Sequence, residues 1–123
     1  MKSDKKIVEL SFDFALSVID LYKKLVEKKE FILSKQLLRS GTGIGANVEE
    51  ANAAQTKKDF IHKMSIASRE ARETKYWLRL PDRGKLVQLD YSFYLNSIEH
   101  IINILTKIEK TGQESVTSKP FNI

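Results

Sequence analysis

Residues 39–55 read RSGTGIGANVEEANAAQ, with glycines alternating at 41, 43 and 45. Closely spaced glycines can let a loop lay its backbone N–H groups against a phosphate. A dinucleotide fingerprint, however, needs G-x-G-x-x-G after a buried strand. Here the spacing is G-x-G-x-G, and the preceding LSKQLLR (residues 33–39) reads as helix. A P-loop is served no better, since no Gly-Lys-Ser or Gly-Lys-Thr follows. Small residues have a second use, which is to let another backbone come close. Ser40, Gly43 and Asn47 fall three and four apart, and Gly41 and Gly45 are separated by four, as on helix faces. Each interior glycine costs about 1 kcal/mol relative to alanine, so several in one helix imply close packing that offsets the loss. The stretch is read as a packing seam.

Arg39 lies eight residues before Asn47, so the two share a face two turns apart, and Glu49 and Glu50 follow the seam. A buried Asn or Arg needs polar partners, and the expectation is a network fixing helix register or subunit geometry. A catalytic use would need a nucleophile or base beside them, and none is evident. The serines lack a triad or Ser-x-x-Lys context. A di-iron bundle site takes two Glu-x-x-His pairs plus two further Glu. This chain has two His: His62, with Asp59 three residues before it, and His100, directly after Glu99. That half-match is no site, and with no Cys there are neither disulfides nor thiolate ligands. The expectation is no enzyme, no metal and no cofactor.

The formal net charge is +5, and its place along the chain matters more than its size. Between Gln55 and Lys85 stand nine Lys or Arg and four acids, while the remaining basic and acidic residues balance. An excess gathered in one segment points to a polyanionic partner. On a helical wheel with Lys58 at zero, Phe60, Met64, Ala67, Ala71 and Leu78 gather at about 200° as a core stripe. Lys58, Arg69, Arg72, Arg79 and Arg83 fall opposite, between about 300° and 20°. Four of the five are Arg, whose planar fork grips phosphate oxygens bidentately. Such a row can track a phosphate backbone; the other reading is a solvated face, partly tied up by Glu70 and Glu73. Ile66 and Trp77 lie at about 80–100°, off the core stripe and eleven residues apart. Either they form a subunit interface or they widen the core towards a neighbouring helix.

The elements that carry these residues are helices. Ile7, Leu10, Phe14, Val18, Leu21 and Leu25 recur every three or four residues, which predicts a first helix over 6–28. A second is expected over 33–54 after a short turn at 29–31. Thr56 is the expected N-cap of a third, with Asp59 three residues on in a near-capping box. That helix should run from 57 to 79 or a little beyond, with Pro81, Asp82 and Gly84 marking the next turn. The stripe Tyr91, Tyr94, Ile98, Ile101, Leu105 and Ile108 predicts a fourth over 90–110, ended by Thr111 and Gly112. Similar lengths and short links predict an all-α, up-down-up-down antiparallel four-helix bundle over residues 1–112. Residues 113–123 form a polar C-terminal tail, expected to be mobile unless a partner holds it. The basic N-terminus acquires Glu9 and Asp13 within its apolar part, unlike a secretory signal, and no apolar run nears the roughly 20 residues of a membrane span. A soluble, cytoplasmic protein with no membrane role is expected.

The run QLLRSGTGIGANVEEANAAQTKKDFIHKMSIASREARETKYWLRL resembles the signature of a bacterial four-helix-bundle family named after open reading frames in intervening sequences of 23S ribosomal RNA genes. Gln36, Leu37, Arg39, Ser40, Ile44, Ala46, Asn47, Val48, Glu49 or Glu50, and Ala51 match its central motif; Lys58, Phe60, Ala67 and Glu70 continue it. The resemblance extends from about Phe14 to Thr111. Two departures stand out, the glycine-rich Gly43-Ile44-Gly45 and Pro81 at a position where the family tends to have Leu. The resemblance implies a ring-like homopentamer and a likeness to accessory variability proteins of diversity-generating retroelements, which are basic, bind nucleic acid and contact a reverse transcriptase. It tips Ile66 and Trp77 towards the interface reading. For most family members no activity is established. The leading expectation is a self-assembling bundle that binds RNA or DNA non-specifically through the basic face of helix three. The alternative is an assembly or adaptor module that binds another protein.

Overall fold

The computed structural model describes residues 2–118, with side chains from residues 6–113. Four helices occupy nearly all of it: α1 (Lys2–Glu27), α2 (Leu33–Asn52), α3 (Lys57–Arg83) and α4 (Ser92–Ser118). The period of three and four dictates them, because each places its apolar residues on one side. Ile7, Phe14, Val18, Leu21 and Leu25 of α1 meet Leu37, Ile44 and Val48 of α2, Met64, Ala67, Ala71 and Leu78 of α3, and Ile98, Ile101 and Leu105 of α4 in one buried cluster. Short links make chain neighbours antiparallel: α2 packs against α1 and α3, α3 against α4, and α4 closes back on α1. The result is the up-down-up-down four-helix bundle, with no strand among the described residues.

Local chemistry sets the helix ends. At the end of α1, Lys29 takes the left-handed conformation (φ 64°). Lys29 N–H donates to Val26 O (2.9 Å) and Glu30 N–H to Leu25 O (2.9 Å), a Schellman pair. The Glu30 carboxylate then accepts from Ser34 N–H (2.7 Å) and Ile32 N–H (3.4 Å), capping the start of α2, whose N-cap Ile32 has no oxygen to offer. Thr56 caps α3 as expected, its hydroxyl accepting from Asp59 N–H at 3.1 Å.

Two expected stops are not stops. Pro81 lies inside α3, buried, and the helix continues to Arg83. A proline one turn from a helix end forfeits a single backbone bond, and here its carbonyl accepts the closing bond from Leu86 N–H at 3.2 Å. The left-handed residue of that turn is Lys85 (φ 53°), not Gly84. Gly84 keeps a right-handed backbone, and a Cβ there would stand 2.7 Å from Leu80 O. Likewise α4 begins at Ser92 and passes through Thr111 and Gly112 to Ser118, six residues beyond Gly112. Gly112 is a contact rather than a terminus: a Cβ would lie 2.9 Å from Ile61 Cγ1 of α3. The first six residues assigned to the polar tail are thus helical, and residues 119–123 lie outside the described residues.

The glycine run of α2 packs on both sides. A Cβ at Gly41 would meet both Val18 methyls at 2.8 Å, and one at Gly45 would meet Ser11 O at 3.3 Å, so these two face α1. Gly43 faces α3, where a Cβ would meet Glu70 Oε2 at 2.9 Å. Beside it, the buried Ser40 and Thr74 hydroxyls lie 2.9 Å apart across the same seam. Their i−4 carbonyls, Gln36 O and Glu70 O, stand 2.9 and 2.7 Å away, so one hydroxyl donates to the other and that one to its own helix.

Candidate nucleic-acid interface

The core stripe and flanking contacts fix how α3 is rotated, and so what it shows outwards. On its α2 side Lys63 pairs with Glu50 (3.2 Å) and Glu70 with Arg39 (3.7 Å). On its α4 side Lys75 pairs with Glu99 (2.6 Å). Between these flanks, and opposite the core, Lys58, Arg69, Arg72, Arg79 and Arg83 are all exposed. None of the five has a salt bridge among the described residues. Arg72 donates to Thr106 Oγ1 of α4 at 3.2 Å, which steadies its guanidinium without neutralising it.

Two of the four acids of α3 are tied to α2, while Asp82 stands exposed beside Arg83 in the last turn. Asp59 belongs to the first turn, and Glu70 and Glu73 turn to α2, where Arg39 ion-pairs with both and also donates to Gln36 Oε1 (2.9 and 3.3 Å). Glu70 and Glu73 thus form their ion pairs with α2 rather than with the basic row, although Glu70 still feels the Arg69 charge. The Trp77 indole N–H donates to Glu73 Oε2 at 2.9 Å. That bond, with Arg39, holds the Glu73 carboxyl below the usual carboxylate range. Glu70 is pushed up, first by burial and then by the Glu73 charge.

The remaining motif residues serve helix pairing. Arg39 and Glu50 tie α2 to α3, Ser40 and Gly43 lie on that seam, and Gly45 faces α1. Asn47 stays within its own helix, its side-chain amide donating to Gly43 O at 2.8 Å, so it adds nothing to the Arg39 network. Ile66 and Trp77 are half-buried, and Trp77 packs on the core cluster along the α2 flank. His62 and His100 are both exposed.

Three features went unread in the sequence. Tyr76, 53% exposed, stands amid the arginines. Its wheel position coincides with that of Lys58, a placement that a pattern of charges does not register. Phe12, Leu16 and Ile19, spaced four and three, form an exposed apolar stripe on α1. On another side of α1, between it and α4, a groove of about 240 Å³ is lined by Leu10, Phe14, Phe93 and Ile101, with Asp13 and His100 also lining it. At the end of the bundle formed by the two loops, Phe31, Ile32 and Leu86 are exposed.

Fold and surface together define a small antiparallel four-helix bundle with one arginine-rich face. The chain belongs to the 23S rRNA-intervening sequence protein family, whose model matches residues 3–107. It is similar to a solved structure from Bacteroides thetaiotaomicron, a protein of unknown function from the S23 ribosomal protein family. The two are 45% identical with a TM-score of 0.83, over 88% of this chain and 98% of that one. No curated protein matches. No helix among the described residues is long and apolar enough to cross a membrane.

Proposed function

We propose that this protein is a non-enzymatic, self-assembling bundle that binds RNA or DNA without sequence preference through the outward face of α3. The observation that carries this reading is the sorting of charge on one helix. Lys63 and Lys75 are spent on neighbouring helices, Glu70 and Glu73 are drawn to Arg39, and five unpaired basic side chains remain together. Binding proceeds by phosphate neutralisation and counterion release, so it weakens steeply with salt. Five contacts per protomer set a slope of log affinity on log salt of about −3.5 for a single strand. Changing Arg69, Arg72 and Arg79 to Glu is expected to weaken binding at least about 100-fold at low salt and to flatten that slope. Undiminished binding by this variant, with helical content intact, would overturn the assignment of the site.

Assembly belongs to the same proposal. The α1 stripe of Phe12, Leu16 and Ile19 offers an apolar face for a second copy, and Ile66 with Trp77 offers another flank. The family resemblance implies a homopentamer as the expected copy number, and a ring would multiply the basic face. The absence of Cys is compatible with a cytoplasmic setting.

A second reading, an adaptor that docks on a protein such as a reverse transcriptase, is favoured by Phe31, Ile32 and Leu86 at one end of the bundle. The two readings part on purification. A nucleic-acid binder carries material absorbing at 260 nm and sheds it in high salt, whereas an adaptor carries none.

A further inference from the structure

Tyr76 stands in the middle of the basic row, and no structural duty accounts for it. Its side chain is 53% exposed, and its ring contact is edge-on to Trp77, with centroids 5.2 Å apart and planes at 72°. Trp77 is itself held by the Glu73 carboxylate, so the tyrosine beside it is braced. Arg69, Arg72, Tyr76, Arg79 and Arg83 follow one another at steps of three, four, three and four, which makes them a single stripe along α3. With a rise of about 1.5 Å per residue, Tyr76 lies about 6 Å along the axis from Arg72 and about 4.5 Å from Arg79. A base resting on the ring would thus have its two flanking phosphates over arginines on either side. Leu80, one turn further and partly exposed, widens the apolar platform.

We infer that Tyr76 is a stacking platform for an unpaired base, so that the natural ligand of this face is single-stranded nucleic acid. The inference rests on the phosphate-binding reading above. Every base offers a π-face, so stacking adds affinity without adding sequence preference. A duplex hides those faces within its own stack, whereas a single strand presents them. An acidic protein partner would use the arginines but would have no base to lay on the ring.

The test compares two labelled ligands by fluorescence anisotropy: a thymidine 20-mer and an abasic deoxyribose-phosphate 20-mer with the same backbone charge. The full chain is measured as wild type, Tyr76→Leu and Tyr76→Phe, with helical content checked by circular dichroism. Wild type should bind the thymidine strand about tenfold more tightly than the abasic one. Tyr76→Leu should bring the two to parity while leaving the abasic affinity unchanged, and Tyr76→Phe should keep the preference. Equal wild-type affinity for both strands would overturn the stacking role and leave phosphate binding standing. A preference that survives in Tyr76→Leu would overturn it equally. Binding of neither strand at low salt would remove the phosphate-binding reading and the stacking inference with it.

Discussion

Glu70 and Glu73 sit one turn apart on α3 and share the Arg39 guanidinium, yet their carboxyls are displaced in opposite directions. Glu73 has two donors, the Trp77 indole and Arg39, and is held low. Glu70 is partly desolvated against the bare backbone of Gly43 and feels the Glu73 charge, which Arg39 at 3.7 Å offsets only in part. A carboxyl whose folded pKa is raised destabilises the fold in its charged form, so its cost is present at neutral pH. That cost fades as pH falls through the folded pKa and is absent below the unfolded value of about 4.5. Glu70→Gln keeps the Arg39–Glu73–Trp77 link and removes the charge. It should raise stability at pH 7, and the gain should vanish below pH 4.5, as followed by urea denaturation across pH. A gain that persists at pH 4 would show that the substitution acts through packing instead. Sequence pattern marked Arg39 and Glu70 as motif residues but not as partners. A contact between adjacent helices 31 residues apart leaves no periodic trace, and the wheel records only which way each side chain leaves its own axis.

At the scale of elements, the four helices and their apolar stripes follow from the period alone, because a long amphipathic run in a chain with 2 Pro and 5 Gly has few other ways to bury itself. Ends are less legible, since a single residue's stop signal weighs little against tertiary contact. Pro81 is carried in the last turn of α3, and Gly112 stays helical while passing Ile61. The glycines of α2 were readable as a seam but not as one with two sides, because spacing does not say which neighbour lies against which glycine. The distinction has a measurable consequence. Alanine at Gly41 would drive a methyl into the buried Val18, whereas at Gly43 it would meet the end of the Glu70 side chain, which can swing away. Overpacking costs about 1–3 kcal/mol and the helix gains about 1 kcal/mol on losing a glycine. Gly41→Ala should therefore destabilise by up to about 2 kcal/mol, while Gly43→Ala should be neutral or stabilising by up to about 1 kcal/mol. Denaturant midpoints decide it, and Gly41→Ala proving the more stable of the two would mean that α1 and α2 are not so closely opposed there.

At the scale of the whole molecule, the bundle leaves more apolar surface outside than its own core explains. Phe12, Leu16 and Ile19 run along α1, and Phe93 of α4 stands at 60% exposure beside the groove between those helices. The first stripe of α1 is buried, and the second is the apolar face proposed above for a contact between copies. The sequence passages that suggested assembly, Ile66 and Trp77, lie instead on the α2 flank of α3 and are already half-buried in one chain. The two locations make separable predictions. If the α1 stripe joins protomers, Leu16→Glu should leave the fold intact, because Leu16 is 53% exposed, and should bring the mass by light scattering down to the 14.1 kDa of one chain. Affinity for a long single strand should fall with it, since several basic faces on one particle bind as a multivalent unit and one face does not. An assembly that survives Leu16→Glu but comes apart on Ile66→Glu would place the contact on α3, close enough to the arginine row that assembly and nucleic-acid binding would compete for the same helix. A wild-type chain that runs as a monomer would remove the multivalent mode altogether and leave each bundle to bind through its own five basic side chains.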